Sequence, residues 1–591
     1  MATRQNITLL LLVVLVFCLP GNGVYAFGAG NIPSYGLLKG KAFRHGDIEE
    51  VLGDLFKRHG VKVGMFGSLV GKYKFSPMDI KRIYFGNWLR DFSQAMDIAT
   101  LNKAPWQSII TIVVVLGFMS HGYATEEFEV TRERLGVYLP VEHIDNPKGY
   151  GEGKDPREVD PGLRPVCIPE ETEIDPKTGM KNYIANDSGS WDTSRAYVRR
   201  TLEKCIESGR RYRSSDKPQR EDKYEAFRLL GAALHTLEDF PAHSNFCELC
   251  LVSMGHTEVF THVGDDVKIK APDGRMVAPV VTGVFGSDDF MHSLFSEGTD
   301  RISSVTDLNH HVLAARRRRK EEGKSTIAAA LQKMLSKAPG DTAATVSGHL
   351  DEIEKIGEDN EASAQGEEGK TKPENMTPQE LYRRLWKILS LRDKIVKTID
   401  RTIERVPGLR PLLNMINDQI SGDTIHFSQK SITDTVQPIL GPVMRLATTT
   451  LQGASHEVLS NHDQCEVFDN PHASDPTHSF LSKDHFTNIL NHPAGNVAKI
   501  IVSHTVSLVV HAWDDKDLDV TKTIDEITEC LFHPDFHDGN SMVQSTMLGY
   551  MHEWVEDFGH KKKSVLKRLT KESVRENKNI LRKGETGPAQ A

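Results

Sequence analysis

Three residues with metal-binding side chains follow one another at intervals of four in GAALHTLEDFPAHSNF, residues 231–246. They are His235, Asp239 and His243. An α-helix turns every 3.6 residues, so side chains four apart share a face, and His235 and Asp239 can reach one ion. Pro241 predicts a kink or helix end there, with His243 turned inward from the next segment. We favour a metal site; a capped helix with surface histidines is the alternative.

The composition narrows the class of protein around this segment. The chain has 591 residues, of which 39% are hydrophobic and 26% charged, so it can bury a sizeable core. Its formal net charge is −9, which argues against a dedicated nucleic-acid binder with a basic face. Its 25 histidines stand in clusters, and neutral imidazole is the commonest protein ligand for metals. Metal chemistry is therefore the first function to consider.

The N-terminal 26 residues have the pattern of a signal peptide. Arg4 supplies a positive charge, Leu9 to Leu19 form an apolar run, and a cleavage site ends at Ala26. The run is short for a membrane span, and so is a second apolar run at Ile109 to Phe118. The sequence predicts a secreted or plasma-membrane-associated protein whose mature chain begins at Phe27. An uncleaved anchor is the alternative.

The rest of the chain divides by composition. We expect a core over residues 27–310, a charged and largely disordered linker over 311–376, a helical part over 377–563 and a flexible tail over 564–591. Val267 to Phe285 predicts a small β-hairpin that turns at Pro272-Asp273-Gly274. Ala498 to Trp513 is apolar almost all round, which indicates a buried core helix.

Six cysteines remain after the signal peptide. An even number permits up to three disulfides in an oxidising compartment, and sequence does not assign their pairing. Two of them form a Cys-x-x-Cys at 247–250, where structural disulfides or buried helix cysteines are favoured over a zinc or redox site. The six are Cys167, Cys205, Cys247, Cys250, Cys465 and Cys530.

The segment 231–246 resembles the zinc-dependent phospholipase C and P1 nuclease fold, in which a helix carries His-x-x-x-Asp and a further His follows a proline. The resemblance implies a multi-helix, mainly α core that holds two or three zinc ions. It departs from the family pattern in that His243 comes early after Asp239. The implied ligands, including the amine of the mature N-terminus, are Phe27, His45, Asp91, His143, His235, Asp239, His243, His478 and His485.

The last two of these ligands tie the C-terminal part to the core. His478 stands in THSFLSKDHF, where the family pattern expects an acid four residues later and this chain has Ser482. Asp484 or His485 is a possible substitute, and His478 and His485 lie seven apart on one helical face. If both bind metal, residues 377–563 must pack back onto the core.

A second resemblance covers more of the chain. AFGAGNIPSY, GNWLRD, HTLEDFPAHSNF and SDPTHSFLSKDHF together resemble the fungal heterokaryon-incompatibility protein Het-C family, from Phe27 to about Lys516. The resemblance implies a secreted or membrane-associated protein connected with nonself recognition and cell death. A glycine-rich tail associated with some members is missing here.

Together the two resemblances predict zinc-dependent hydrolysis of a membrane phospholipid at its phosphodiester. Asp91 and Glu238 are the candidate catalytic carboxylates that orient water. The alternative is a catalytically silent recognition or membrane-perturbing module on the same fold, with a nonself-recognition protein as partner. A P1-like nuclease with the same ligands is a third reading.

Overall fold

A computed structural model describes residues 75–103, 105–151, 153–284, 465–483 and 488–581, with residues 48 and 52 and several single positions between 377 and 394. The predicted signal peptide and the whole predicted linker lie outside the described residues. So do three of the predicted ligands, Phe27, His45 and His485.

The described part of the chain is mainly helical, as the sequence predicted. The helices and strands in chain order are α1 (Pro77–Ser93), α2 (Ile98–Lys103), α3 (Trp106–His121), α4 (Arg132–Leu135), α5 (Pro140–His143), α6 (Asn182–Ala185), α7 (Ser194–Ser214), α8 (Arg220–His243), α9 (Phe246–Ser253), β1 (Ile269–Lys270), β2 (Met276–Val277), α10 (Glu466–Asp469), α11 (His478–Leu481), α12 (Asn491–Asp514), α13 (Val520–Thr528), α14 (Met542–Glu556), α15 (Lys562–Leu566) and α16 (Lys571–Arg575). Short 3₁₀ turns connect several of them.

The chain divides into two units. The first comprises residues 1–29, 103–131 and 292–453, and the second comprises 30–102, 132–291 and 454–591. Within the first unit, α3 ends at His121 and is followed by Gly122, whose left-handed φ of 75° suits a glycine. Asp393 in the same unit accepts hydrogen bonds from the backbone nitrogens of Ala124 and Thr125. The candidate site lies wholly in the second unit.

Helices α1 and α8 approach each other closely in the second unit. A Cβ added at Gly231 of α8 would overlap the carbonyl oxygen of Ile83, and one at Gly86 of α1 would overlap that of Arg228. Each helix therefore uses a glycine to admit the backbone of the other. This contact fixes the position of α8, which carries His235 one turn after Gly231.

Helix α12 is a core helix of the second unit, and the prediction of a buried helix over 498–513 is confirmed. It packs on α7 and α8. Trp513 near its end lies against Gly209 of α7 and donates a hydrogen bond to the Cys205 carbonyl at 3.2 Å. Among the described helices it is the one long and apolar enough to cross a membrane, but most of it is buried within the protein.

Two smaller features complete the second unit. Strands β1 and β2 pair antiparallel with Ile269 opposite Val277, and Gly274 takes φ +90° in the turn, so the predicted hairpin is confirmed. The lysine-rich stretch after residue 561 differs from the flexible tail expected from residue 564. Through residue 575 it forms α15 and α16, because Val565, Leu566 and Val574 are buried in the unit.

The six described cysteines are all free thiols, so the structure has none of the possible disulfides among them. Cys247 and Cys250 are buried in α9, which agrees with the reading as buried helix cysteines. Burial raises the pKa of the Cys247 thiol to about 12, so it stays protonated near neutral pH.

Candidate metal centre

The three predicted ligands His235, Asp239 and His243 all lie on one continuous helix, α8. It begins after Gln219 and has Glu221 and Asp222 in its first turn. Negative carboxylates there stabilise the helix because its N-terminal end carries the positive end of the helix dipole. Of the kink or helix end predicted at Pro241, the helix end before His243 is wrong. Pro241 sits inside the last turn and His243 is the final helical residue, so the helix continues although Pro241 cannot donate a hydrogen bond to the Leu237 carbonyl.

The first group of metal-binding side chains is His143, His235 and Asp239, which we call the closed group. His143 Nδ1 lies 3.1 Å from His235 Nε2, and His235 Nε2 lies 3.3 Å from Asp239 Oδ2. His143 Nδ1 and Asp239 Oδ2 are 4.0 Å apart. The three side chains are at most 1% exposed. Two nitrogens and one carboxylate oxygen therefore converge in a space closed to solvent.

Neighbouring polar groups set the tautomer of His143. The hydroxyl of Ser93 donates to the Arg90 carbonyl at 2.7 Å, so its oxygen accepts from His143 Nε2 at 3.2 Å. The proton is thereby assigned to Nε2, and the Nδ1 lone pair faces His235. The Gln94 amide nitrogen also lies 3.2 Å from Nδ1 and would compete with an ion for that lone pair.

The second group is Asp145, His243 and His478, which we call the open group. His478 Nδ1 is 3.6 Å from Asp145 Oδ1, and the His243 and His478 rings meet edge to face with centroids 4.6 Å apart. The side chains of His243 and His478 are 8% and 11% exposed. This group reaches solvent where the closed group does not.

Asp239 joins the two groups. Its Oδ2 faces His235, while its Oδ1 lies 3.7 Å from His243 Nδ1. The same carboxylate thus contacts a histidine of each group. A shared carboxylate is a common way to hold two ions side by side.

Asp145 is a member of the open group that the sequence analysis missed. Ile144, between His143 and Asp145, takes φ +53°, a left-handed conformation that is rare for a β-branched residue. This turn sends His143 to the closed group and Asp145 to the open group. The histidine and aspartate two residues apart in EHID were the available signal, but the turn at Ile144 could not be read from sequence.

The electrostatics around Asp145 are those of a buried acid with few partners. Burial raises its pKa, and His478, His243 and the Tyr138 hydroxyl oppose the rise. The Tyr138 hydroxyl donates to Asp145 Oδ2 at 2.9 Å. The pKa of Tyr138 is raised, mainly by burial and secondly by the negative charge of Asp145. Asp145 Oδ1 accepts no hydrogen bond from the described residues. A buried acceptor of this kind is suited to a cation.

The structure brings together His143, His235, Asp239, His243 and His478 of the residues predicted from sequence. Asp91 is half-buried on α1 and belongs to neither group among the described residues, and its neighbour Arg90 instead pairs with Glu142 at 2.7 Å. Glu238 is also in neither group, and its Oε2 accepts from the Asn87 amide at 3.0 Å. His478 lies beside His243, as a C-terminal part packed on the core requires.

Both groups fit a zinc ion by donor type and spacing. Imidazole nitrogens and carboxylate oxygens are zinc ligands at about 2.0–2.2 Å, which places tetrahedral ligand atoms roughly 3.3–3.6 Å apart. The closed group spans 3.1–4.0 Å, and all ligand atoms of each group lie within 4.8 Å of one another. Small movements of the side chains would bring the three ligand atoms of either group to zinc-binding distances.

Comparison with known proteins identifies a family. The family model described as "Heterokaryon incompatibility protein Het-C" matches residues 8–583, nearly the whole chain. The resemblance drawn from four sequence motifs is therefore confirmed. No curated protein and no solved structure shows a match.

Proposed function

The chain belongs to the heterokaryon incompatibility protein Het-C family, and on that premise we propose that it is a zinc-dependent hydrolase of phospholipid phosphodiesters. The observation that carries the proposal is the pair of adjacent His and Asp groups joined by Asp239. Paired metal positions of this kind recur in enzymes that cleave phosphate esters. Hydrolysis of membrane phospholipid would connect this site to the family's role in heterokaryon incompatibility, through cell death.

In this proposal, the role of each side chain in the two groups depends on how accessible it is to solvent. Zinc, when bound, lowers the pKa of a coordinated water and stabilises negative charge on phosphate oxygens. His478 and His243 are the partly exposed ligands of the two groups, so a phosphate would have to approach from their side. Tyr138 keeps the Asp145 carboxylate oriented through its hydroxyl, and Ser93 keeps His143 in the tautomer with an unprotonated Nδ1. Asp91 and Glu238 lie outside both ligand groups, and in this proposal they stay candidate carboxylates that orient water.

A specific observation favours a second candidate, a catalytically silent recognition module. His143, His235 and Asp239 are closed to solvent, so an ion held there would be out of reach of a phospholipid and would act on the fold alone. Ser482, in place of the acid expected by the zinc-phospholipase resemblance, is consistent with a lost ligand. On this reading, the metal supports the fold and a nonself-recognition partner binds elsewhere.

The test measures metal and activity together on the purified full-length chain. Zinc per chain is determined after dialysis, and hydrolysis is assayed on phosphatidylcholine vesicles, with single-stranded DNA as the probe for a P1-like nuclease. The variants are His478→Gln and the double variant His235→Ala/Asp239→Ala. We expect two zinc ions in the wild type and at least about a 100-fold loss of lipid hydrolysis in His478→Gln.

Each outcome separates the candidates. Zinc without hydrolysis of either probe would favour the recognition module, and cleavage of DNA alone would favour a nuclease. A metal-free wild-type protein would overturn the metal centre itself.

We further propose that the protein is secreted through a signal peptide at residues 1–26. Arg4, the apolar run from Leu9 to Leu19 and the cleavage pattern at Ala26 support this. N-terminal sequencing of protein collected outside the cell should begin at Phe27. A mature chain that begins at Met1 or Ala2 would contradict it.

A further inference from the structure

The segment that carries His478 is held to the rest of the second unit by a buried ion pair that lies outside both metal-binding groups. Lys181, only 2% exposed, directs its Nζ to Asp475 Oδ1 at 2.8 Å and to the Ser474 hydroxyl at 2.8 Å. The same ammonium group donates to the Thr172 carbonyl at 2.6 Å. Three acceptors saturate the three hydrogens of this lysine.

Asp475 also contacts the segment that carries Asp145. Its Oδ1 accepts from the Asn146 side-chain amide at 2.8 Å, and its Oδ2 pairs with Lys148 at 3.1 Å. Asn146 directly follows Asp145, and Asp475 precedes His478 by three residues. One carboxylate therefore connects two segments that are distant in sequence and that supply two of the three open-group ligands.

The backbone of residues 283–284 lies between these segments and bonds to both. The Asn146 nitrogen donates to the Gly283 carbonyl at 2.9 Å, and the His478 nitrogen donates to the Val284 carbonyl at 3.0 Å. Val284 in turn donates to the Pro476 carbonyl at 2.8 Å. The distance from Asp145 to His478 is thus fixed by a chain of short contacts rather than by the two side chains themselves.

We propose that Asp475 and Lys181 are positioning residues that assemble the open group, and that the closed group forms without them. The inference rests on the proposed metal centre. His143, His235 and Asp239 are carried by α5 and α8, whereas Lys181 and Asp475 lie on other segments of the chain. Loss of this ion pair therefore removes the second ion selectively.

The experiment uses the full-length chain with Asp475→Asn and Lys181→Met, each alone and combined. Glu171→Gln is the matched control, because Glu171 forms a similarly buried ion pair with Arg164 at 2.7 Å in the same stretch of chain. We expect Asp475→Asn to bind the second zinc at least about tenfold more weakly and to retain the first. Lys181→Arg should restore part of the affinity, since it keeps the charge.

A second readout does not depend on metal. Hydrogen exchange of peptides that cover residues 475–481 reports the His478–Val284 backbone hydrogen bond, and it should accelerate at least about tenfold in Asp475→Asn but not in Glu171→Gln. The combined variant leaves no unpaired buried charge, so it stays informative if either single variant folds poorly.

The outcomes distinguish this inference from the proposed function. Two ions bound with unchanged affinity, or unchanged exchange in 475–481, would overturn the positioning role. A wild-type chain that binds no zinc would end the proposed function, while the exchange measurement would still decide whether Asp475 holds the His478 segment.

Discussion

The closed and open groups use the same kinds of side chain but are built differently. The closed group takes His143, His235 and Asp239 from α5 and α8, with Ser93 of α1 behind them. The open group takes its ligands from a turn after α5, the last residue of α8 and a segment far later in the chain. The first depends on helix packing, and the second on loop contacts.

Burial separates the two groups further. The closed-group side chains are at most 1% exposed, while His478 reaches 11%. An ion without solvent access leaves slowly because its ligands must first be exposed, and a site with an accessible position can exchange ion and substrate more readily. We therefore expect slow metal exchange in the closed group and fast exchange in the open group. The following predictions test that difference, from the largest effect to the smallest.

Asp239→Asn should have the largest effect because Asp239 contacts both groups. We expect both ions to bind at least about 100-fold more weakly, since an amide cannot supply the negative charge that two cations require. Zinc content after dialysis and isothermal titration of the apoprotein measure this. Asp160→Asn is the control, because it removes a buried carboxylate that pairs with Arg132 outside both groups. Retention of both ions by Asp239→Asn would contradict the shared carboxylate.

Gly231→Ala tests the helix packing behind the closed group. The added methyl would overlap the Ile83 carbonyl of α1, so α1 and α8 must separate, and we expect the free energy of unfolding to fall by about 1–3 kcal/mol. Denaturant unfolding of the metal-free protein measures the change. Gly549→Ala is the matched control on α14, where a Cβ meets nothing within 4 Å. It should be neutral or slightly stabilising, since alanine favours a helix.

Gly283→Ala tests the loop contacts behind the open group. A Cβ here would lie 2.5 Å from the Cα of His478 and push that residue away from Asp145 and His243. We expect about tenfold weaker binding of the exchangeable ion, with the slowly exchanging ion retained. Exchange kinetics with a chelator resolve the two. Gly539→Ala, where the Cβ has open space, is the control. Equal loss of both ions would show that the groups are not separable.

The sequence predicted the parts of this site that depend on local periodicity. Spacing of four placed His235 and Asp239 on one face of α8, while His243 was expected on the next segment. His143 and His478 were predicted as ligands only from the family resemblance. The residues around each of them give no sign that they lie near α8. The apolar character of residues 498–513 was likewise enough to predict a core helix. Both predictions succeeded because they depend on residues that are near one another in the sequence.

The remainder required tertiary structure. Asp145 joins the open group because Ile144 adopts a left-handed turn, which its side chain disfavours and no local rule predicts. Asp475 and Lys181 meet across almost 300 residues of sequence, 294 apart, so no pattern in either segment indicates the pair. The helix end expected at Pro241 was wrong because whether a helix continues past a proline depends on tertiary packing, which sequence does not show.

The smallest effect concerns acid sensitivity away from both groups. His533 is buried, its Nε2 donates to the Ala278 carbonyl at 2.7 Å and its Nδ1 accepts from the Asp535 nitrogen at 3.0 Å, so it is held neutral. Burial lowers its pKa below the ordinary 6.5, with the bond to Ala278 and the charge of Asp535 opposing the shift. The unfolded chain therefore binds more protons below about pH 6.5, and stability falls as the pH drops through that value.

His533→Gln keeps a donor for Ala278 and removes the titration. We expect a shallower fall in the melting temperature of the metal-free protein between pH 7 and pH 5, at some cost in stability at pH 7. Because this histidine belongs to neither group, the variant should leave the exchange rates of both ions unchanged at pH 7. A wild-type apoprotein with equal stability at pH 7 and pH 5 would show that His533 is not held neutral. Altered exchange of either ion would instead mean that the contact between His533 and the 278–284 segment reaches the open group.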